Sequence, residues 1–202
     1  MKRIVIFGMG GAAKDSYAHL KYNNIVFCAD ESSQSEFLGR PVIFVKEITP
    51  KDVLHIAIGD SKKRCDIVNR FIDMNFVHYV HPSSIILDNI GLGAGCFISA
   101  GCILTTDISI GDHAQLNIGS SISHDCKIGN FFTTGPGARV CGNCTIGNQV
   151  YLGANSTIKQ KIEICDNVCV GMGACVVKDI SEPGVYAGVP ATLISPNWPT
   201  NL

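Results

Sequence analysis

The chain has 202 residues, 46% of them hydrophobic, and a formal net charge of −1, enough apolar material for one large or two small globular domains. Its charges form no long block of one sign, so no electrostatic footprint for nucleic acid or an anionic membrane exists and neither is expected as a partner. No run approaches the ~20 apolar residues that span a bilayer, and the opening MKRIVIFGMGGAAKD breaks into glycines and a lysine before a signal-peptide core forms. The expected location is the cytoplasm.

The first 80 residues read as short β-rich runs, RIVIFG, IVFCAD, PVIFV and VLHIAIG, separated by polar or helix-compatible segments such as DSKKRCDIVNRFIDM. That alternation predicts a small α/β, Rossmann-like domain with a parallel sheet. The first strand runs into Gly8, Gly10, Gly11 and Ala13, a G-x-G-x-x-A spacing, and Asp30 closes the second strand about 20 residues later. Glycines there let a phosphate reach backbone N–H groups at a helix N-terminus, and the Asp can accept a hydrogen bond from a ribose hydroxyl. Only about 80 residues are available, so a mononucleotide or nucleotide sugar fits better than a dinucleotide. Gly10, Gly11, Ala12, Asp30, Glu31 and the AIGD strand end with Gly59 and Asp60 are the candidate substrate-side residues. Lys62, Lys63 and Arg64 read as a solvated helix face, and His19, His55 and His78 as structural.

From residue 86 the period changes. Ile86, Leu92, Ile98, Leu104, Ile110, Leu116, Ile122 and Ile128 fall six residues apart, and the series runs on through Thr134 to Val176 with Thr134 its one non-aliphatic member. Four residues after each comes a second small or apolar series that includes Cys96, Cys102, Cys126 and Cys144. A helix cannot hold such a stripe on one face, because six residues turn it by about 600°. A β-solenoid can: three six-residue sides make an 18-residue coil, and every eighteenth residue stacks ~4.8 Å above the last. Residues 86–176 supply about five coils. The cysteines of the second series are then interior packing residues. Cys141 and Cys144, as C-G-N-C, have the spacing of a zinc or redox pair, but no second pair follows, and no metal is expected.

The hexapeptide register, I-G-x-x-small-x, resembles the left-handed parallel β-helix of bacterial acyltransferases. The chain is similar over nearly its whole length to the NeuD/PglD family of bacterial sugar acetyltransferases, through the glycine-rich α/β start, the AIGD strand end, the connector HPSS at His81–Ser84, the coils, and the ending VYAGVPATLI at 185–194. The resemblance implies two domains, 1–80 binding a nucleotide sugar and 81–202 forming the left-handed β-helix acetyltransferase domain with its tail. It also implies acetyl-CoA as co-substrate, and a homotrimer with the active site between subunits.

Within SSISHDCKIG an ionisable pair, His124 and Asp125, interrupts small and aliphatic neighbours near a coil corner. Imidazole ionises near neutral pH and suits a general base for an attacking amine or hydroxyl, and a neighbouring carboxylate can orient it. The family match puts the catalytic base at His124 and its acidic helper at Asp125. Gly142, one coil on, brings a backbone N–H near the base that can polarise a thioester carbonyl. The resemblance supports Gly142, Ala154 and Met172 as contacts on the CoA side, Thr133 near the cofactor thioester where some relatives carry a second histidine, and Asn117 on the substrate side. Where relatives read G-G-H-G this chain has Gly10, Gly11, Ala12, Ala13, so a substrate-facing histidine is absent. His113 reads as a surface residue, and with His124 it makes two coil histidines, one short of the three that a zinc-dependent γ-type carbonic anhydrase needs.

The expected activity is N-acetylation of a nucleotide-linked 4-amino-deoxysugar in surface-glycan biosynthesis. The alternatives are O-acetylation of a sialic-acid-type sugar and a non-catalytic β-solenoid scaffold.

Overall fold

A computed structural model describes residues 2–20, 22–30 and 32–198. The chain divides into two compact units, Met1–Tyr79 and Val80–Leu202. In the first unit β1 (Ile4–Phe7), β2 (Ile25–Cys28), β4 (Arg40–Ile43), β5 (Val53–Ile56) and β6 (Asn75–Phe76) pair in parallel. A two-residue β3 (Glu36–Phe37) turns back antiparallel onto β4, an edge hairpin the sequence reading did not anticipate. The sheet order is β3-β4-β2-β1-β5-β6, with α1 (Gly11–Leu20) and α2 (Ser61–Arg70) following β1 and β5. The central strands are buried along nearly their whole length, which is why they read as continuous apolar runs rather than alternating ones.

The unit is pinned at the start of β1 by Arg3, whose Nε and Nη2 each donate to the Asp52 carboxylate at 2.8 Å. The Arg3 guanidinium holds the buried Asp52 carboxyl below its ordinary value. A carboxylate with a depressed folded pKa stabilises the fold above the unfolded value of ~3.9 and loses that contribution as pH falls through the folded one. Asp52→Asn is expected to flatten the decline in stability below about pH 4, measured by urea unfolding across an acid series. Superimposable acid limbs for wild type and variant would reject this role for the pair.

The second unit is built from the six-residue period. Strands of two or three residues stack in parallel with partners eighteen positions away, such as Gln115↔Thr133↔Tyr151 on one side, Ser121↔Arg139↔Thr157 on the next and Ser109↔Lys127↔Thr145 on the third. Both interior series are buried, the first from Ile98 through Val176 and the second including Cys96, Cys102, Cys126 and Cys144, each fully enclosed. Burial pushes the Cys102 thiol up to about 11, so it packs as a neutral group. Thr134, the exception in the aliphatic series, is also buried: its Oγ1 lies 2.8 Å from Ser120 Oγ and accepts from the Asn117 N–H at 2.9 Å, so the polar atoms satisfy one another.

Two corner devices set the turn of each coil. At one corner Asp112, Asn130, Asn148 and Asp166 form a ladder in which each Oδ1 accepts the backbone N–H of the coil below, at 2.7–2.9 Å. The residue before Asp112, Asn130 and Asn148 is glycine because a Cβ there would collide with the next coil, and at Gly129 it would meet Gly147 C at 2.6 Å; before Asp166, the last rung, the residue is Cys165. At another corner Asn89, Asp107, Asp125 and Asn143 take left-handed backbone conformations with φ of 55–61°, which Asn and Asp tolerate best among residues with a side chain. The last coil passes into Gly184–Ala187, parallel to Val168–Val170, and a closing antiparallel strand Thr192–Ser195. Among the described residues no helix is long and apolar enough to cross a membrane.

Candidate functional site

His124 and Asp125 occupy the corner between Ser121–Ile122 and Lys127–Ile128. The chain is tied there on both sides: the Asp125 N–H donates to Thr106 O at 3.1 Å in the coil below, and the Asn143 N–H donates to His124 O at 2.8 Å from the coil above. Asp125 sits at φ +59°, and this turn carries its carboxylate back onto the preceding ring. His124 Nδ1 lies 2.6 Å from Asp125 Oδ2, with both side chains 54% exposed. A carboxylate only accepts, so the hydrogen of this contact sits on Nδ1, and in the neutral ring Nε2 keeps its lone pair.

Gly142 stacks on this ring one coil further on. A Cβ built there would lie 2.6 Å from both His124 Cε1 and Nε2, so the imidazole lies flat against the glycine backbone. Behind the pair, Cys126 is fully buried, and its thiol is raised by its hydrogen bond with Cys144 and by burial. Below the pair, Asn89, Asp107, Ser109, Asp125 and Lys127 line an open depression of ≈ 390 Å³. Asp107 and Asn89 went unremarked in the sequence, although eighteen-residue steps back from Asp125 land on both.

The other predicted residues of this unit lie elsewhere on the coil. Asn117 stands at the corner one side earlier, with its backbone held by Thr134 and its Oδ1 accepting from the Ile118 N–H at 2.8 Å. Ala154 and Met172 occupy that same corner on later coils: the Gly173 N–H donates to Ala154 O at 2.8 Å, and Met172 is 81% exposed. One six-residue side at ~3.3 Å per residue is ~20 Å, so within one chain these residues are separated from His124 and Gly142 by a full coil side. Thr133 is buried, between Gln115 and Tyr151. His113 stacks on Phe131 at 5.3 Å between ring centroids, and His81 accepts from the Ser83 N–H in the connector turn.

In the first unit the candidates cluster beyond the carboxyl ends of β1, β2 and β5, whose last residues are in register as Phe7↔Cys28 and Phe7↔Ile56. Gly10 and Gly11 lead into α1, with open space where a Cβ would be; Ala12 follows in its first turn. Asp30 is gripped by Arg70, which donates from Nη1 at 2.9 Å and Nη2 at 2.5 Å and lowers its pKa. Next to it Ala29, Ser32, Ser33, Gln34, Val42 and Phe44 border a depression of ≈ 230 Å³. Gly59 gives its carbonyl to Arg64 at 3.2 Å. Asp60 is buried, and its Oδ1 caps α2 by accepting from the Lys62 and Lys63 N–H groups, so its carboxylate serves the helix rather than an open surface. Glu31 lies outside the described residues. Among the described residues no group of three or more His, Cys, Asp or Glu side chains is placed to hold a metal ion.

The family model for the bacterial transferase hexapeptide, in six repeats, matches residues 125–160. No curated protein sequence matches the chain. Among solved structures, WeeI from Acinetobacter baumannii AYE is 28% identical with a TM-score of 0.88, over 96% of this chain and 100% of that one. The acetyltransferase domain of PglB from Neisseria gonorrhoeae FA1090 is 26% identical with a TM-score of 0.87, again over 96% and 100%. PerB from Caulobacter crescentus, solved in complex with CoA and GDP-perosamine, is 27% identical with a TM-score of 0.84, over 95% and 97%. Residues 125–160 thus carry the bacterial transferase hexapeptide repeat, and nearly the whole chain is similar in fold to these three acetyltransferase-type structures, a small α/β region followed by a left-handed parallel β-helix.

Proposed function

We propose that the protein transfers the acetyl group of acetyl-CoA to the amine of a nucleotide-linked amino sugar in surface-glycan biosynthesis. The observation that carries this reading is the His124–Asp125 contact of 2.6 Å, which leaves Nε2 available as a base against the backbone of Gly142. It is supported by the likeness to PerB, which is solved with CoA and GDP-perosamine.

Nε2 of His124 takes a proton from the amine as its nitrogen bonds to the thioester carbonyl carbon. Asp125 holds the ring and balances the imidazolium that forms. The Gly142 N–H, on the coil above, supports the negative charge that develops on the carbonyl oxygen. As the carbon–sulfur bond breaks, the imidazolium returns the proton to the departing thiolate, so the enzyme ends in the state in which it began.

The acceptor's nucleotide belongs, in this reading, at the strand ends of the first unit, with Gly10, Gly11 and Ala12 toward the phosphates and Asp30 toward the ribose. The separation of the His124 corner from the Asn117, Ala154 and Met172 corner by ~20 Å supports a site shared between copies of the chain, each giving a different corner to one cleft. A closed ring of three copies gives every cleft one corner of each kind.

The test is CoA release from acetyl-CoA with UDP-, dTDP- and GDP-linked amino sugars as acceptors. Turnover is expected with at least one of them, and with none of the corresponding hydroxyl sugars. Acetylation confined to hydroxyl sugars would overturn the amine assignment.

A further inference from the structure

One rung of the coil breaks the backbone ladder, at Asn117. On that edge Ser99, Gly135 and Gly153 each donate a backbone N–H to the carbonyl seventeen positions on, at Leu116, Leu152 and Val170, over 2.6–2.9 Å. Asn117 departs from this pattern, and its N–H donates to the Thr134 hydroxyl at 2.9 Å instead of to the Thr134 carbonyl. Thr134 Oγ1 in turn lies 2.8 Å from Ser120 Oγ, which donates to Gly135 O at 3.2 Å. The hydrogens therefore run one way, from Asn117 to Thr134, from Thr134 to Ser120 and from Ser120 to Gly135. Both hydroxyls are buried.

The consequence falls on Asn117. Its carbonyl accepts from the Ser120 N–H at 3.2 Å and from Cys102 Sγ at 3.1 Å, and its Oδ1 accepts from the Ile118 N–H at 2.8 Å. With the N–H held by Thr134, the polar group of this half-buried residue that keeps no partner among the described residues is Nδ2, with two hydrogens to donate. A valine at 134 would leave the ladder regular, as Val140, Val170 and Val176 do in the same series, each accepting the N–H of the coil below at 2.7–2.9 Å. The threonine exchanges that bond for another and adds the desolvation of a hydroxyl, so stability does not account for it. A local rule broken at no gain to the fold points to function.

We propose that Thr134 is a positioning residue for the acceptor: its buried hydroxyl, backed by Ser120, fixes Asn117 so that Nδ2 donates to a hydroxyl oxygen of the acceptor sugar. The inference rests on the acetyl-transfer reading above, in which the Asn117 corner of one copy shares a cleft with the His124 corner of another. Thr134 itself touches neither substrate. A carboxamide already held at its N–H, its carbonyl and its Oδ1 has little freedom left to lose on binding, and that pre-organisation is what the hydroxyl contributes. The effect belongs to acceptor binding, so it is read in the acceptor KM rather than in kcat.

The experiment is steady-state kinetics of the intact protein with acetyl-CoA and whichever UDP-, dTDP- or GDP-linked amino sugar it turns over fastest, in wild type, Thr134→Val, Thr134→Ser and Asn117→Ala, with urea unfolding of each. Thr134→Val is expected to raise the acceptor KM by about 3- to 10-fold, the worth of one hydrogen bond, while kcat and the KM for acetyl-CoA stay within about twofold. Thr134→Ser keeps the hydroxyl and should hold the acceptor KM at the wild-type value. Adding Thr134→Val to Asn117→Ala should change nothing further, because the two act through one group. Unfolding of Thr134→Val at or above the wild-type urea concentration separates the effect from stability. An acceptor KM that is unchanged in Thr134→Val, or raised as much in Thr134→Ser, overturns the proposal and leaves the acetyl-transfer reading standing; so does an early-unfolding Thr134→Val in which the KM values for both substrates rise alike. Absence of turnover by the wild type with every amino sugar overturns that reading and the acceptor role of Thr134 with it.

Discussion

Replacing His124 by alanine is expected to lower kcat for N-acetylation by ~10²- to 10⁴-fold, the usual worth of a positioned general base, while KM for acetyl-CoA stays within a few-fold. The grounds are geometric. The Nδ1 hydrogen is committed to Asp125 at 2.6 Å, so Nε2 is the one ring atom able to receive a proton, and it faces the coil edge beside Gly142. The side chain is half exposed and supports no buried contact of the core, so its loss leaves the coil folded. Steady-state kinetics on the best acceptor, with unfolding curves for both proteins, separate chemistry from stability. A loss of less than tenfold with an intact fold would remove His124 from the role of base.

A second large effect is expected from a residue that carries no functional group. In Gly142→Ala the new methyl carbon would lie 2.6 Å from two atoms of the imidazole and 3.0 Å from Nδ1. Side chains do not share space at such distances, and the exposed ring is the part free to move. It must swing off the glycine face, which breaks its alignment with Asp125 and moves Nε2 by an ångström or more. Misplacement of about 1 Å costs on the order of 10²-fold in rate. The variant should unfold at nearly the wild-type denaturant concentration, because the clash is relieved into solvent rather than into the core. The double variant His124→Ala, Gly142→Ala should be no slower than His124→Ala alone, since the methyl then has nothing to displace. Full activity in Gly142→Ala would show that the ring does not work from the stacked position.

The coil was legible because a period of six suits no helix and because eighteen-residue stacking turns sequence distance into spatial order. That arithmetic brought Gly142 beside His124 before any coordinates, and it explained Cys126 and Cys144 as core. Taken further, it also separates Asn117, Ala154 and Met172 from His124: offsets that are not multiples of eighteen land on different corners. The first unit was less transparent. Asp30 meets Arg70 forty residues away, Asp60 turns inward to cap α2, and Glu36–Phe37 folds back on β4. These outcomes depend on loop geometry and long-range pairing, for which the sequence carries no period. Thr133 sits on an outward strand position yet is buried, a matter of what covers the sheet rather than of alternation.

The uninterrupted eighteen-residue register makes the corner a ruler. Distances along it come only in whole steps, because a shift of six residues moves a side chain to another edge of the prism and a shift of one turns it from outside to inside. Inserting a full eighteen-residue coil between Gly142 and Gln160 would raise everything beyond it by one graduation of ~4.8 Å, leaving every corner, ladder and core position on its own edge. The distance between two side chains on one edge is thus written in the number of coils between them, a quantity that changes by duplication rather than by substitution.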